Sequence, residues 1–289
     1  MTKTKLLEDV TVNLLRTAST SLPDDVLAAL RKAEAEETSE IARTQLRTIL
    51  SNVDVADRHS VPMCQDTGLP LFFVTGRCIP RLEEAIRRGV SRATAEIPLR
   101  PNVVNPLTRA NPGDNLGKGM PHIHFHPTEA DYTEITAMPK GAGSENMSFI
   151  AMLTPSQGRN GVKAAILKAV VSAGGYPCPP TIVGVGIGGT ADEAMLIAKH
   201  SLLRRLDLPN PEPDLNALEI ELTEALNATG IGPMGLGGRT TVLGVRIEEA
   251  STHVASLPVA VCLQCWAARK ASARVYKDGR VEYSREGFA

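Results

Sequence analysis

Aromatic side chains are scarce: one Trp, four Tyr and five Phe make up 3% of the 289 residues. The core must therefore be built from Ala, Val, Ile and Leu rather than from large rings. An excess of one charge is also missing, with 31 Lys and Arg against 32 Asp and Glu. That removes the electrostatic argument for a nucleic-acid or other polyanionic partner. No stretch approaches the roughly 18 apolar residues of a membrane span. The opening residues MTKTKLLEDVTVNLL lack a signal peptide's apolar segment. These absences predict a cytoplasmic protein that contacts neither membrane nor nucleic acid. Five cysteines, at 64, 78, 178, 262 and 265, are an odd number, which argues against a disulfide framework. Buried thiols, a redox pair or metal ligands remain.

The patterning that is present alternates between helix and strand. Residues 4–60 read as three helices, with Leu6, Leu7, Val10, Leu14 and Leu15 at helical spacing and Pro23 opening the second. LFFVTG, HIHFH, YTEITA, TIVGVGIGG and LPVAVCLQ read as strands, and RVYKDGRVEY as a hairpin across Asp278-Gly279. Further helices are expected near 81–96, over NGVKAAILKAVVSAGG, from Ala191 to Arg205 and over Leu215–Asn227. PKGAGSENMS reads as a glycine-rich loop, and WAARKASARV as a short helix or turn. The fold class is mixed α/β, with Pro- and Gly-rich loops between the elements.

Three local patterns suggest chemistry. Gly184, Gly186 and Gly189 fit G-x-G-x-x-G after a strand and before a helix, the dinucleotide-binding spacing. No second strand ends in an acidic residue about 20 positions later, so a tight strand–helix turn is the favoured reading. His122, His124 and His126 share one strand face by the period of two, a polar face or part of a metal site. Cys262 and Cys265 form C-x-x-C inside an apolar strand, where positions i and i+3 point to opposite faces. Cys64, Cys178 and Cys265 stand beside Pro, Gly or a strand end, separated by 114 and 87 residues. Spacing alone does not bring them together.

The segments PMCQDTG, PLRPN, NPGDN, PKGAGSEN, CPPTIVGVGIGG, IGPMGLGG, THVASLPVAV and QCWAARKA together resemble the α-type half of class I fumarate hydratases and L(+)-tartrate dehydratases, the iron–sulfur hydro-lyases. The resemblance covers nearly the whole chain. It implies one domain over 1–289, with a helical segment over 1–60 and a cluster-binding α/β body over 61–289. It also implies a [4Fe–4S] cluster on Cys64, Cys178 and Cys265, with one iron left open as a Lewis acid. Gln65, Arg100 and Gly143 are implied as substrate-binding residues, and Asp66 and His253 as catalytic ones. Each has chemical sense: Arg100 can grip a carboxylate with two parallel hydrogen bonds, and Asp66 can move a proton beside a carboxylate. The loop Lys140-Gly141-Ala142-Gly143 departs from the family's run of three glycines. The implied reaction is reversible hydration of fumarate to malate, with tartrate dehydration as the alternative. The implied partner is a β-type subunit in a hetero-oligomer. A zinc- or thiol-based structural or redox protein is the reading from another class.

Overall fold

The computed structural model describes residues 3–288. The chain falls into two compact units that interleave along the sequence. One comprises residues 1–24, 51–142 and 269–289; the other comprises 25–50 and 143–268. Helix α3 (Glu40–His59) gives its first half to one unit and its second half to the other.

The first unit is built on a five-stranded sheet in the order β2 (His122–Pro127), β1 (Leu71–Gly76), β3 (Tyr132–Ala137), β8 (Ala271–Tyr276), β9 (Val281–Ser284). Only the β1–β2 pair is parallel. Alternation along LFFVTG sorts its two faces. Phe72 and Val74 enter the core with Ile135 and Ala273, while the Phe73 ring stacks on His124 on the other face, 4.9 Å between centroids. Helices α1 (Lys3–Thr20) and α4 (Leu82–Glu96) complete that core through Leu7, Val10, Leu14, Ile86 and Val90. Apolar residues recurring every three to four positions give each helix one buried stripe.

The second unit has a four-stranded sheet, β4 (Phe149–Leu153), β7 (Leu257–Gln264), β5 (Thr181–Gly188), β6 (Val242–Ala250). Strands β5 and β6 run parallel, and β7 runs antiparallel to β5 and β4. On one face Val183, Val185, Val245, Ile247, Val259 and Val261 pack against α6 (Gly158–Ala173) and α8 (Pro213–Asn227). On the other face lies α7 (Ala191–Ser201), brought directly onto the strand by Gly184 and Gly186. A Cβ on Gly186 would stand 2.0 Å from the Ala194 carbonyl oxygen. Gly184 and Gly186 of the G-x-G-x-x-G pattern thus serve close helix–strand packing inside β5, whereas Gly189 lies in the turn after it at φ +67°. Helix α2 (Asp24–Glu36) completes the helices that the sequence predicts.

Three segments differ from expectation. PKGAGSENMS contains a one-turn helix, α5 (Ala142–Glu145), and FIAML forms the edge strand β4 where no strand is expected. The segment after Arg269 is strand β8 rather than a helix or turn, because it completes a ladder with β3. No helix among the described residues is long and apolar enough to cross a membrane.

Candidate active site

In the first unit the segment after α3 is anchored before it reaches the chemistry. The Met63 N–H donates to the Ser19 carbonyl (3.0 Å), and the Asn52 amide donates to the Met63 carbonyl (2.7 Å). Half-buried Cys64 follows, then Gln65, whose Oε1 accepts from Nη1 of the exposed Arg100 at 3.1 Å. Gly68 turns the chain at φ +85°, and a Cβ there would lie 2.8 Å from the backbone of Pro139 and Lys140. Only glycine meets both demands.

Asp66 is the most tightly held polar group in this segment. Its Oδ1 accepts from the Gly68 N–H (3.0 Å) and the Asn102 amide (3.2 Å), and its Oδ2 from the Ala142 N–H (2.7 Å). The Asp66–Gly68 bond is ordinary Asx-turn chemistry, but the other two bonds tie the carboxylate to two distant loops. An ionised carboxylate has about four acceptor sites, so one remains for a proton. Asn115, 3% exposed, pins the loop bearing Arg100 and Asn102: its Oδ1 accepts from the Asn102 N–H (2.7 Å) and its amide donates to the Arg100 carbonyl (3.1 Å).

In the second unit Cys178 sits in the left-handed region, φ 54°, just before Pro179 and Pro180. Its N–H donates to the Gly175 carbonyl (3.1 Å), and its own carbonyl accepts from the Trp266 N–H (3.2 Å). That last bond sets Cys265, the residue before Trp266, beside Cys178. The register Ile182↔Gln264 explains it: β5 begins where β7 ends, so the segments bearing the two cysteines emerge at one end of the sheet. Two more loops meet there. Met234 N–H donates to the Pro179 carbonyl (2.8 Å), and a Cβ on Gly143 would lie 3.0 Å from the Tyr176 carbonyl oxygen. Gly143, Cys178 and Cys265 are therefore neighbours within this unit. Gln264, 3% exposed, has both side-chain polar atoms buried without a partner.

His253 is placed elsewhere. It lies in the turn between β6 and β7, where its Nδ1 accepts from the Ala255 N–H (3.1 Å) and its neighbour Thr252 donates to the Gly189 carbonyl (2.9 Å). Gly189 follows the far end of β5, so His253 stands a sheet length from Cys265, about 25 Å at the rise of a β-strand. The fold of one chain does not bring the two together. The physical reason is strand direction: the eight residues of β7 lie between them and run one way along the sheet.

The remaining sequence patterns have structural roles. Cys262 is buried in β7, within 3.9 Å of the Ser148 hydroxyl, and Cys78 is exposed. His122 and His124 share a face of β2, their rings 4.3 Å apart edge to face. Among the described residues, no three His, Cys, Asp or Glu side chains form a site for a single metal ion. A cubane cluster spreads its ligands over separate irons and needs a wider set. For such a cluster the second unit has suitable donors: two half-buried cysteines on backbone-bonded loop segments, with the unpartnered side-chain amide of Gln264 next to Cys265 in the chain.

The family described as fumarate hydratase (Fumerase) matches residues 8–274. A Methanocaldococcus jannaschii protein, provisionally named L(+)-tartrate dehydratase subunit alpha, is 47% identical over 95% of this chain and 99% of its own. The Escherichia coli K12 protein named L(+)-tartrate dehydratase subunit alpha is 34% identical over 94% of this chain and 91% of its own. A Geobacillus stearothermophilus protein, provisionally named class I fumarate hydratase, is 38% identical over 92% of this chain, which spans 54% of that protein's length. A family match over almost the entire chain, with relatives well above 30% identity, settles the classification: the chain belongs to the class I fumarate hydratase and L(+)-tartrate dehydratase α-subunit family of hydro-lyases.

Proposed function

We propose that this chain is the α subunit of an L(+)-tartrate dehydratase that acts with a β-type subunit on a small dicarboxylic acid. The supporting observation is the full-length likeness to two proteins named as tartrate dehydratase α subunits, one of them at 47% identity. The fumarate expectation from sequence motifs yields to the 47% relative, since the fumarate-named relative is 38% identical and about twice as long as this chain.

In this reading Cys64, Cys178 and Cys265 hold a [4Fe–4S] cluster. When bound, the cluster supplies an open iron that polarises a hydroxyl leaving group. The chain's own residues do the rest. Arg100 is exposed, with its guanidinium oriented by Gln65, and it grips a substrate carboxylate by paired hydrogen bonds. Gly143, with little room for a Cβ beside the Tyr176 carbonyl, offers its backbone N–H to the substrate in this reading. Asp66, with one acceptor site free, takes the proton from the carbon beside the carboxylate as the hydroxyl on the next carbon departs as hydroxide, the proton and the hydroxide together making up the water lost. From tartrate this leaves an enol, which becomes the keto acid by moving one proton. His253 has no part in its own chain's group of site residues.

The test is anaerobic assay of the cluster-loaded αβ complex with L-tartrate and with malate. We expect kcat/KM for tartrate to exceed that for malate by at least tenfold. A preference for malate restores the fumarate hydratase reading.

A further inference from the structure

Arg269 is the largest fully buried side chain among the described residues, 1% exposed. Its one hydrogen bond is from Nη1 to the backbone carbonyl of Asp66, at 2.8 Å. Its Nε is buried and unpartnered, and no carboxylate among the described residues lies within ion-pairing distance. Burying a guanidinium without a counter-charge is expensive, and here the expense falls at the point where Asp66 is held. The two side chains also face a common space. The position of a Cβ on Gly141 is 3.4 Å from Asp66 Oδ2 and 3.6 Å from Arg269 Nη2, so the carboxylate and the guanidinium stand within about 7 Å of each other across a glycine. Asn102 holds the other oxygen. Its amide donates to Asp66 Oδ1 and to the Gly68 carbonyl, each at 3.2 Å, and its backbone is fixed by buried Asn115.

We propose that Arg269 and Asn102 are the positioning pair for Asp66. Arg269 fixes its backbone and places a positive charge behind the carboxylate, and Asn102 fixes the carboxylate's rotation. This rests on the reading of Asp66 as the proton-transferring group. Neither residue touches substrate. Their effect is on the angle and placement of the free Asp66 oxygen, where an error of about 1 Å can cost 10²-fold in rate.

The variants are Asn102→Ser, Arg269→Gln and Arg269→Lys, with Asp66→Asn as reference, all assayed in the cluster-loaded αβ complex. Visible absorbance and the thermal midpoint are recorded for each. We expect Asn102→Ser and Arg269→Gln to lose about tenfold to hundredfold in kcat, with KM within about twofold and cluster absorbance unchanged. Arg269→Lys, which keeps the charge, recovers part of the loss. If Arg269→Gln does not fold, Asn102→Ser and Arg269→Lys decide. Wild-type kcat in Asn102→Ser and in the folded Arg269 variants, with Asp66→Asn inactive, overturns the positioning pair alone. Wild-type turnover in Asp66→Asn overturns the reading of Asp66 and the pair with it. Loss of kcat that follows loss of cluster absorbance or of thermal midpoint also overturns it, since that is a merely structural role.

Discussion

Glu219 shows how far a single buried charge can organise its surroundings. It is 3% exposed, yet it accepts from Arg204 (2.6 Å), Arg246 (3.1 Å), the Asn210 amide (2.8 Å) and the Ile247 N–H (2.8 Å). Burial pushes the Arg246 guanidinium below its ordinary range, and the Glu219 carboxylate opposes that shift. Removing the carboxylate leaves two guanidiniums facing each other with little water. Glu219→Ala should therefore cost about 3–5 kcal/mol, read as a fall in the urea midpoint at unchanged m-value. Glu219→Gln, which keeps the hydrogen bonds to Asn210 and Ile247, should cost less. Nothing in ALEIELTEAL distinguishes this glutamate from the solvated ones around it, because its partners lie on other elements. The same limit applies at the candidate site. Cys64, Gln65, Asp66, Arg100, Gly143, Cys178 and Cys265 were legible through motifs; Asn102, Asn115 and Arg269 lie in the same motif segments, but their contacts to distant loops were not readable from those segments.

At the scale of elements, helix α7 is fixed along its body and at its C-terminus by different physics. Along its body it rests on the glycine face of β5, where any side chain would collide with its backbone. This explains why a dinucleotide-like glycine spacing can arise without a dinucleotide: close packing and phosphate approach both require a missing Cβ. At its C-terminus His200 Nδ1 meets Glu248 Oε2 of β6 at 2.8 Å, which raises the imidazole's pKa above its ordinary value. The helix dipole favours the same cation. A raised folded-state value means that the pair's stabilisation is complete below the unfolded value of about 6.5. It is lost as pH climbs through the folded value. Because His200 is half-exposed, the effect is small, below about 1 kcal/mol. The midpoint difference between the wild type and His200→Gln should be largest near pH 5.5 and vanish near pH 9. A difference that does not change with pH would mean that the contact is packing, not charge. Most helices and strands were legible from periodicity, but β4 was not. As an edge strand its Ile150 and Met152 are exposed, so FIAML lacks the apolar–polar alternation that marks a half-buried strand.

For the whole molecule the governing fact is that the chain leaves each compact unit and returns to it. Residues 1–24 share a unit with 269–289, and 25–50 share one with 143–268. Such long-range closure is invisible to local patterns. It also bears on the proposed cofactor. Ligands drawn from Cys64, Cys178 and Cys265 are scattered through the unfolded chain, separated by 114 and 87 residues. The unfolded chain therefore binds a cubane far more weakly than the folded one. A ligand that binds only the folded state stabilises it by mass action. Anaerobically loaded protein should then melt at a higher temperature than the same protein stripped by chelator and oxidant, and its visible absorbance should vanish in the same transition. Serine in place of any one of the three cysteines should abolish both the colour and the difference in midpoint. Serine at Cys78 or Cys262 should abolish neither, although Cys262→Ser costs stability in its own right because it buries a hydroxyl in β7. Cluster absorbance and a loaded-minus-stripped shift that survive in the Cys64, Cys178 or Cys265 variant would remove that residue from the ligand set.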